Sequence, residues 1–473
     1  MTSPPIDQQL LSDPAPNLEA PAPPPQRAGQ DGTVPCEALD DPFLVKPSEK
    51  KGLTRQYAHI YFQRLMLLAK ATAATAAARW PGVPQQHILR VQEGEECFVV
   101  GTIYKEGKLK PSVLDEYLKG GLSGQSGLSG QSALGAKLTE ENDTLVMEDE
   151  GARMALTGDL DASKLPTGVV IAARGTNDGR SFHVVDHCLP GPAPQRALAQ
   201  PRTPDGEDVL VALVSGIATV DGSGDSLRTQ LMVDWLMGAL GGARDHTMQR
   251  RVARVIVAGA LAPSVADQPA AAPAQTFGTA GPAASTASWR DVDRMLTEIA
   301  SCAPVDVMPG PWDPASHSLP QQPLHAVLLP ATMGFESARL STNPHGLSVG
   351  GVFLLGTAGQ NVHDLYRYTM GESRCGLLAR TLHWRHLCPT APDTLACFPF
   401  ADRDPFLLQE SPHVLFAGGM PAYEADSVAT GNGSCRVVCV PRFVETGEVV
   451  LLNLATLETQ TLRFSTPELG EDV

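Results

Sequence analysis

The chain has 473 residues, 42% of them hydrophobic, and a formal net charge of −16. That length exceeds one ordinary core and calls for two or three domains. The acidic balance excludes a broad basic surface of the kind that grips phosphate backbones, although a local patch stays open, and no apolar run approaches the ~20 residues that span a membrane.

Residues 1–50 are rich in Pro, Ala, Asp and Gln and read as a disordered tail. The basic cluster Lys46 to Lys51 reads as a solvated linker, with targeting as the alternative. Residues 51–87 hold a helix. Thr54 is its expected N-cap, Tyr57, Tyr61, Leu65 and Leu68 form its expected buried stripe, and Trp80-Pro81-Gly82 stops it. His59 on that helix reads as structural.

Residues 88–190 alternate apolar and polar in about five short runs, with Glu150-Gly151 and Asp178-Gly179 as hairpin signals. A small barrel of the OB-fold type fits this pattern. The repeat "GLSGQSGLSGQS" from Gly121 to Ser132 reads as a flexible insertion. Residues 191–206 read as a linker.

From residue 207 to 465 strands and helices alternate. "VLVALVSGI" is a continuous apolar strand, as expected for one buried on both faces. A helix with a Leu227, Leu231 and Trp235 stripe follows and ends at Gly241-Gly242. "RVARVIVAGAL" is the next strand. Residues 263–287 read as a mobile loop. The helix beyond has Ser288 as its expected cap and Val292, Met295, Leu296 and Ile299 on one face. "VDVMPG" is a third strand. Two βαβ units in succession imply a parallel sheet with right-handed crossovers. "HAVLLP", "VGGVFLLGT", "HVLFAGGMP", "CRVVCV" and "EVVLLNLATLETQTLRF" extend a mixed α/β layered domain. Residues 466–473 form an acidic tail.

The nine cysteines are scattered, with no C-x-x-C pair and no zinc-site spacing. Cys435 and Cys439 share a strand face and read as buried free thiols. Cys302 sits at a helix C-terminus, which disfavours a thiolate. An odd count without a signal peptide points to a reducing, intracellular compartment.

Catalytic groups of open α/β sheets lie beyond the carboxyl ends of strands. Those four places hold Ser215-Gly216-Ile217, Gly259-Ala260 with Pro263 farther on, Gly310-Pro311-Trp312-Asp313 and Gly418-Gly419-Met420-Pro421. A binuclear metallophosphoesterase needs Asp-x-His, Gly-Asp-x-x-Asp, Gly-Asn-His-Asp/Glu and Gly-His-x-His there, to hold two ions ~4 Å apart. The turn glycines are present, but of the acids and imidazoles only Asp313 is. His325, His363 or His413 adds one ligand at most. Asp313 is expected to hydrogen-bond its own turn. There is no P-loop, and Ser215 lacks a nucleophile elbow.

The stretches "TRQYAHIY", "PVDVMPGPWDP", "SLPQQPLH", "TNPHGLSVGGVFLLGTAGQNVHDLYRY" and "RHLCPTAPDTLACFPF", followed by "DPFLL", resemble the B-subunits of eukaryotic and archaeal replicative DNA polymerases. The nearer match is to the delta branch, over about Thr54 to Phe464. The resemblance implies an N-terminal helix and OB-fold joined to a calcineurin-like phosphoesterase domain without its metal site. It implies a nuclear, non-catalytic subunit of a replication and repair polymerase that needs no cofactor. Its implied partners are the cysteine-rich C-terminal domain of the delta catalytic subunit, the third, clamp-linking subunit, and the polymerase zeta catalytic subunit as a second home. In the segment "TAPDTLACFPFADRDPFLL", Phe398, Phe400 and Phe406 read either as interface anchors or as a loop packed on its own domain. The competing functions are a metal-dependent phosphodiesterase or nuclease and a single-strand-binding OB protein. The acidic charge leaves DNA contact auxiliary at most.

Overall fold

The computed structural model describes residues 34–49, 56–107, 109, 137–217, 225–261 and 286–465. Thr54, the Gly121 to Ser132 repeat, Pro263 and the acidic tail lie outside them, as does the 263–287 loop up to residue 285.

The part of the expected tail that is described is ordered: β1 (Cys36–Ala38) pairs antiparallel with a strand of the C-terminal domain. Sequence reading missed it because Pro-rich composition hides a segment that borrows its partners from elsewhere. Phe43, just beyond, is buried in that domain's core. The helix α1 (Ala58–Arg79) follows. Its buried row is Ile60, Arg64, Leu68, Thr72 and Ala76, with Leu65 beside it. Leu65 and Leu68 are placed as expected, whereas Tyr57 is exposed and His59 lies on the exposed side.

Five strands follow: β2 (Glu96–Glu106), β3 (Thr144–Glu148), β4 (Arg153–Gly158), β5 (Val170–Asn177) and β6 (Phe182–Cys188). They close a barrel in the order β2-β3-β4-β6-β5, the five-stranded Greek key of an OB-fold. Both expected hairpins form, β3–β4 around Gly151 and β5–β6 around Gly179. The supposed linker is packed rather than free. Ala193 is buried, and the Gln195 amide donates to the Pro412 and Ser434 carbonyls at 2.8 and 3.0 Å.

The C-terminal domain opens with β7 (Leu210–Val214), α2 (Asp225–Met237), α3 (Ala243–Arg251), β8 (Val252–Ala258), α4 (Thr286–Ala300), β9 (Val305–Met308) and β10 (Ala338–Leu340). It continues with β11 (His345–Val349), β12 (Val352–Thr357), α5 (Gln360–Tyr368), α6 (Arg374–Trp384), β13 (Val414–Met420) and β14 (Glu424–Thr430). The last elements are β15 (Gly433–Pro441), α7 (Phe443–Thr446), β16 (Glu448–Asn453) and β17 (Thr459–Arg463). Two six-stranded sheets result, ordered β1-β11-β12-β13-β15-β14 and β10-β9-β8-β7-β16-β17. Strands β7, β8, β9 and β10 are parallel, as the βαβ pattern requires.

Alternating side chains split the core into layers. Val211, Leu213, Ile256 and Met308 face Leu347, Leu354, Phe416 and Val438 between the sheets. The other face of the second sheet packs on Met232, Leu236, Val292 and Leu296 of α2 and α4. The other face of the first packs on Val362, Leu378 and Leu382 of α5 and α6. The domain is therefore a helix-sheet-sheet-helix sandwich, and each sheet is buried on both faces.

Several expectations are corrected. Leu227 is exposed and Leu231 half-buried, whereas Trp235 is buried as expected, beside Thr229, Met232, Val233 and Leu236 in the α2 core row. That helix ends before Gly238, and Gly242 instead precedes α3. Ser288 lies inside α4 rather than capping it. "HAVLLP" contains a 3-10 turn, not a strand. Among the cysteines, Cys302, Cys435 and Cys439 are buried thiols outside any disulfide.

Two ionic knots hold the layers. Arg64 is fully buried and bonds Asp404 at 3.0 Å, Pro389 O and Ala391 O at 2.7 Å each, and Gly168 O at 3.3 Å. His386 Nε2 donates to Asp404 at 2.8 Å, and His386 Nδ1 accepts from Cys388 N at 3.1 Å. That pairing fixes a neutral imidazole, and burial followed by the Arg64 charge pushes its pKa down to about 4. The second knot lies between the sheets. Asp306 is paired with Arg254, and His345 contacts Asp40 at 2.8 Å and Asp306 at 3.7 Å. Burial disfavours the imidazolium, but the two carboxylates outweigh it and raise His345 to about 9.

Removing one partner of a buried pair strands the other charge, at about 3–5 kcal/mol. Arg64→Met is expected to lower unfolding stability by that amount, read by denaturant titration, and a loss under ~1 kcal/mol would contradict the knot. The two histidines give opposite pH limbs. An unfolded His titrates near ~6.5. His386, depressed to about 4, makes stability fall as pH drops from there toward that value. His345, raised to about 9, contributes fully below ~6.5 and loses that contribution as pH rises through its folded value. Melting curves of wild type and His345→Gln should therefore converge toward alkaline pH. Their difference isolates His345 from Lys105, whose burial lowers its pKa to about 8 and acts the other way.

Candidate functional site

The turns after β7, β8, β9 and β13 meet at one end of the sandwich. Ser215 Oγ donates to Ala258 O at 2.8 Å and accepts from Gly419 N at 2.9 Å. Gly216 N donates to Gly259 O at 3.1 Å. The turns touch backbone to backbone. A Cβ on Gly310 would lie 2.3 Å from Ala260 N, and one on Gly418 would lie 2.3 Å from Ala258 O. The glycines thus serve close packing of the turns.

Asp313 holds its own turn, as expected: Gly310 N donates to its carboxylate at 2.7 Å. Of the other singled-out positions, Ser215, Ala260 and Gly419 join the cluster of turns. Ile217 is buried in the helix-side core, Trp312 is half-buried, and Pro311 and Pro421 are exposed. Pro263 is outside the described residues.

Three amides that sequence reading did not single out bind the turns. Asn343 Nδ2 donates to Gln321 and Gln360 at 2.9 and 3.0 Å. Gln321 Nε2 donates to Gly310 O at 3.0 Å, and Asn343 Oδ1 accepts from Ala358 N at 3.0 Å. Gln321 and Asn343 are buried. The stretches "SLPQQPLH" and "TNPH" carried them, but an amide leaves no spacing signature of the kind a metal ligand does.

His363 alone of the three candidate histidines reaches the turns. Its Nε2 donates to Gly419 O at 3.0 Å, and burial pushes its pKa down to about 4. His413 bonds Phe353 N and Arg196 O, and His325 is exposed at a 3-10 turn. Among the described residues, no three His, Cys, Asp or Glu side chains come together as a metal site. One carboxylate already committed to a backbone N–H, one neutral imidazole and a set of amides do not fit a binuclear centre.

The aromatic segment packs on its own domain. Phe400 and Phe406 are each 1% exposed, and Phe398 is half-buried against Phe400 at 4.9 Å between ring centroids. Arg403 stacks on Phe400 at 4.2 Å. Phe400 and Phe406 are therefore core residues and not exposed interface anchors.

The barrel is also engaged. Leu65, Leu68 and Ala76 of α1 cover Phe98, Val100, Val170 and Ala172 on its outside. Leu365, Leu377 and Trp384 of α5 and α6 enter its inner core. Lys105 and Lys137 cap the end of α5, with Nζ 2.9 Å from Tyr368 O and 2.6 Å from Tyr366 O.

If the glycines serve packing, Gly310→Ala and Gly418→Ala should each cost about 1–3 kcal/mol or more in denaturant unfolding. Gly334, whose added Cβ meets nothing within 4 Å, should tolerate alanine at nearly no cost. Equal effects at the three positions would refute the packing role.

The family model for the B-subunits of DNA polymerases alpha and epsilon matches residues 211–425, and that of the DNA polymerase delta subunit OB-fold domain matches residues 56–187. The DNA polymerase delta small subunit of Oryza sativa is 36% identical, over 90% of this chain and 97% of that protein. Its Arabidopsis thaliana counterpart is 37% identical over 91% and 95%, and that of Saccharomyces cerevisiae 29% over 88% and 91%. A solved archaeal phosphodiesterase is 9% identical and covers 54% of this chain and 99% of its own, at a TM-score of 0.27 that carries no weight for the fold. The chain belongs to the small-subunit family of DNA polymerase delta, the regulatory B-type subunits rather than the catalytic ones.

Proposed function

We propose that the chain is a non-catalytic scaffold of the DNA polymerase delta holoenzyme, built on a phosphoesterase-type sandwich that has lost its metal chemistry. The observation that carries this reading is the closed cluster of four turns, tied by the neutral amides of Gln321, Asn343 and Gln360. A rigid preformed surface binds partners at lower entropic cost than a mobile one. The two ionic knots and the packed strap of residues 191–206 supply that rigidity. On this reading the subunit works in the nucleus and docks on the cysteine-rich C-terminal domain of the catalytic subunit. It also carries the third, clamp-linking subunit and serves polymerase zeta as a second assembly.

Single-strand binding is at most auxiliary in this account. An OB-fold takes oligonucleotides on the face of its second and third strands, here β3 and β4. On that face Arg153 is stacked on Tyr104 at 5.5 Å and paired with Glu148 at 3.0 Å, which leaves little charge for phosphates.

The test is co-expression with the C-terminal domain of the catalytic subunit, followed by elemental analysis of each component. The expected result is a stable complex with metal confined to the catalytic subunit's cysteines. No complex, together with two metals per copy of this chain and cleavage of a generic phosphodiester, would replace the scaffold with an enzyme.

A further inference from the structure

Among the described residues, the helix α1 uses only one of its faces. The row Ile60, Arg64, Leu68, Thr72 and Ala76 is buried. On the opposite side Phe62 is 51% exposed and Met66 46% exposed, and Leu67, also 46% exposed, lies at the margin between the two faces. The exposed row continues through Lys70, Ala74 and Ala78. From Phe62 to Ala78 it runs about 24 Å at ~1.5 Å per residue. Large apolar side chains on the solvent side of an otherwise packed helix are most stable when a partner covers them. Two large apolar side chains on one exposed stripe, with Leu67 at its margin, mark an interaction surface rather than scattered exposure.

We infer that this outer face of α1 seats a helical segment of a second polypeptide in the polymerase assembly, an apolar stripe with acidic side chains beside it. The inference rests on the scaffold reading and adds a surface to it. Charge complementarity selects the occupant. The chain as a whole carries −16, yet the 22 residues of α1 include no Asp or Glu. The only charge on the exposed row is Lys70, an acceptor's natural partner at the middle of the stripe. The shape selects a helix. Phe62 and Met66 form a large-residue ridge at i and i+4, while Ala74 and Ala78 let a second helix axis approach to the lower end of the ~8–10 Å range.

The experiment uses the full chain co-expressed with the other subunits of the holoenzyme. A photo-cross-linking phenylalanine at position 62 is activated in the purified complex, and the joined peptides are identified. The expected product links Phe62's position to one helical segment of another subunit, with Asp or Glu about two turns from the linked residue, opposite Lys70. The double substitution Phe62→Asp with Met66→Asp should weaken co-purification about tenfold or more while leaving the melting temperature of the free chain unchanged. Lys70→Glu should weaken it, and Lys70→Arg should not. Cross-links to a second copy of this chain or to its own segments overturn the inference, as does an intact complex in the double variant. A wild-type chain that co-purifies with no polymerase subunit overturns the scaffold reading, and the inference with it.

Discussion

The Arg64 guanidinium is the point on which the arrangement of domains depends. It leaves α1, passes the barrel at Gly168, and ends on Asp404 and on the carbonyls of Pro389 and Ala391 in the C-terminal domain. A planar fork with five donors can satisfy several acceptors in one buried place, which a lysine cannot do. Helix, barrel and sandwich thereby share one charge. None can shift without leaving that charge unpaired in a medium where an unpaired charge costs several kcal/mol. The barrel is further held by Leu365, Leu377 and Trp384, which continue its core into the next domain. The two parts behave as one body because their cores and their buried ions are continuous.

The candidate site shows how neutral side chains can hold strand ends together. In a metal-binding sheet, carboxylates at the strand ends repel one another until ions neutralise them. In this chain the same strand ends carry glycines in backbone contact and amides that donate and accept at once. Gln321 and Asn343 bridge the turns without adding charge, beside the Asp313 carboxylate that accepts from Gly310 N.

Periodicity made much of the fold legible. The barrel's five strands, the βαβ order and the α4 face of Val292, Met295, Leu296 and Ile299 follow from local pattern and turn chemistry alone. The misses share a cause. Strand β1, the Gln195 strap and the true α2 row are set by partners distant in sequence, which no local window contains. Tyr57 and Leu227 fitted a helical stripe yet lie exposed, because which stripe is buried depends on what packs against it. Of the site, the Asp313 turn could be read directly. The amide network could not, since Asn and Gln at turns are common and carry no diagnostic spacing. Two charged residues did leave a trace: Asp306 inside "VDVM" and Arg254 inside "VARVIVA" are opposite charges in neighbouring buried strands, and their pairing follows from asking where each would find a partner.

The short strand β1 carries a consequence for handling the protein. It is three residues long and, among the described residues, is the outermost member of its sheet, paired only to His345–Val349. A row of open backbone donors and acceptors beside an apolar layer invites foreign strands, and brief or covered margins are the usual protection. Here residues 36–38 are the cover, fastened by Asp40 to His345 and Gly346 N. A chain trimmed past that point would lose its margin, together with Val34 of the inner layer and the Asp40 carboxylate that holds His345. Self-association of a loosened sandwich is the failure that such trimming invites.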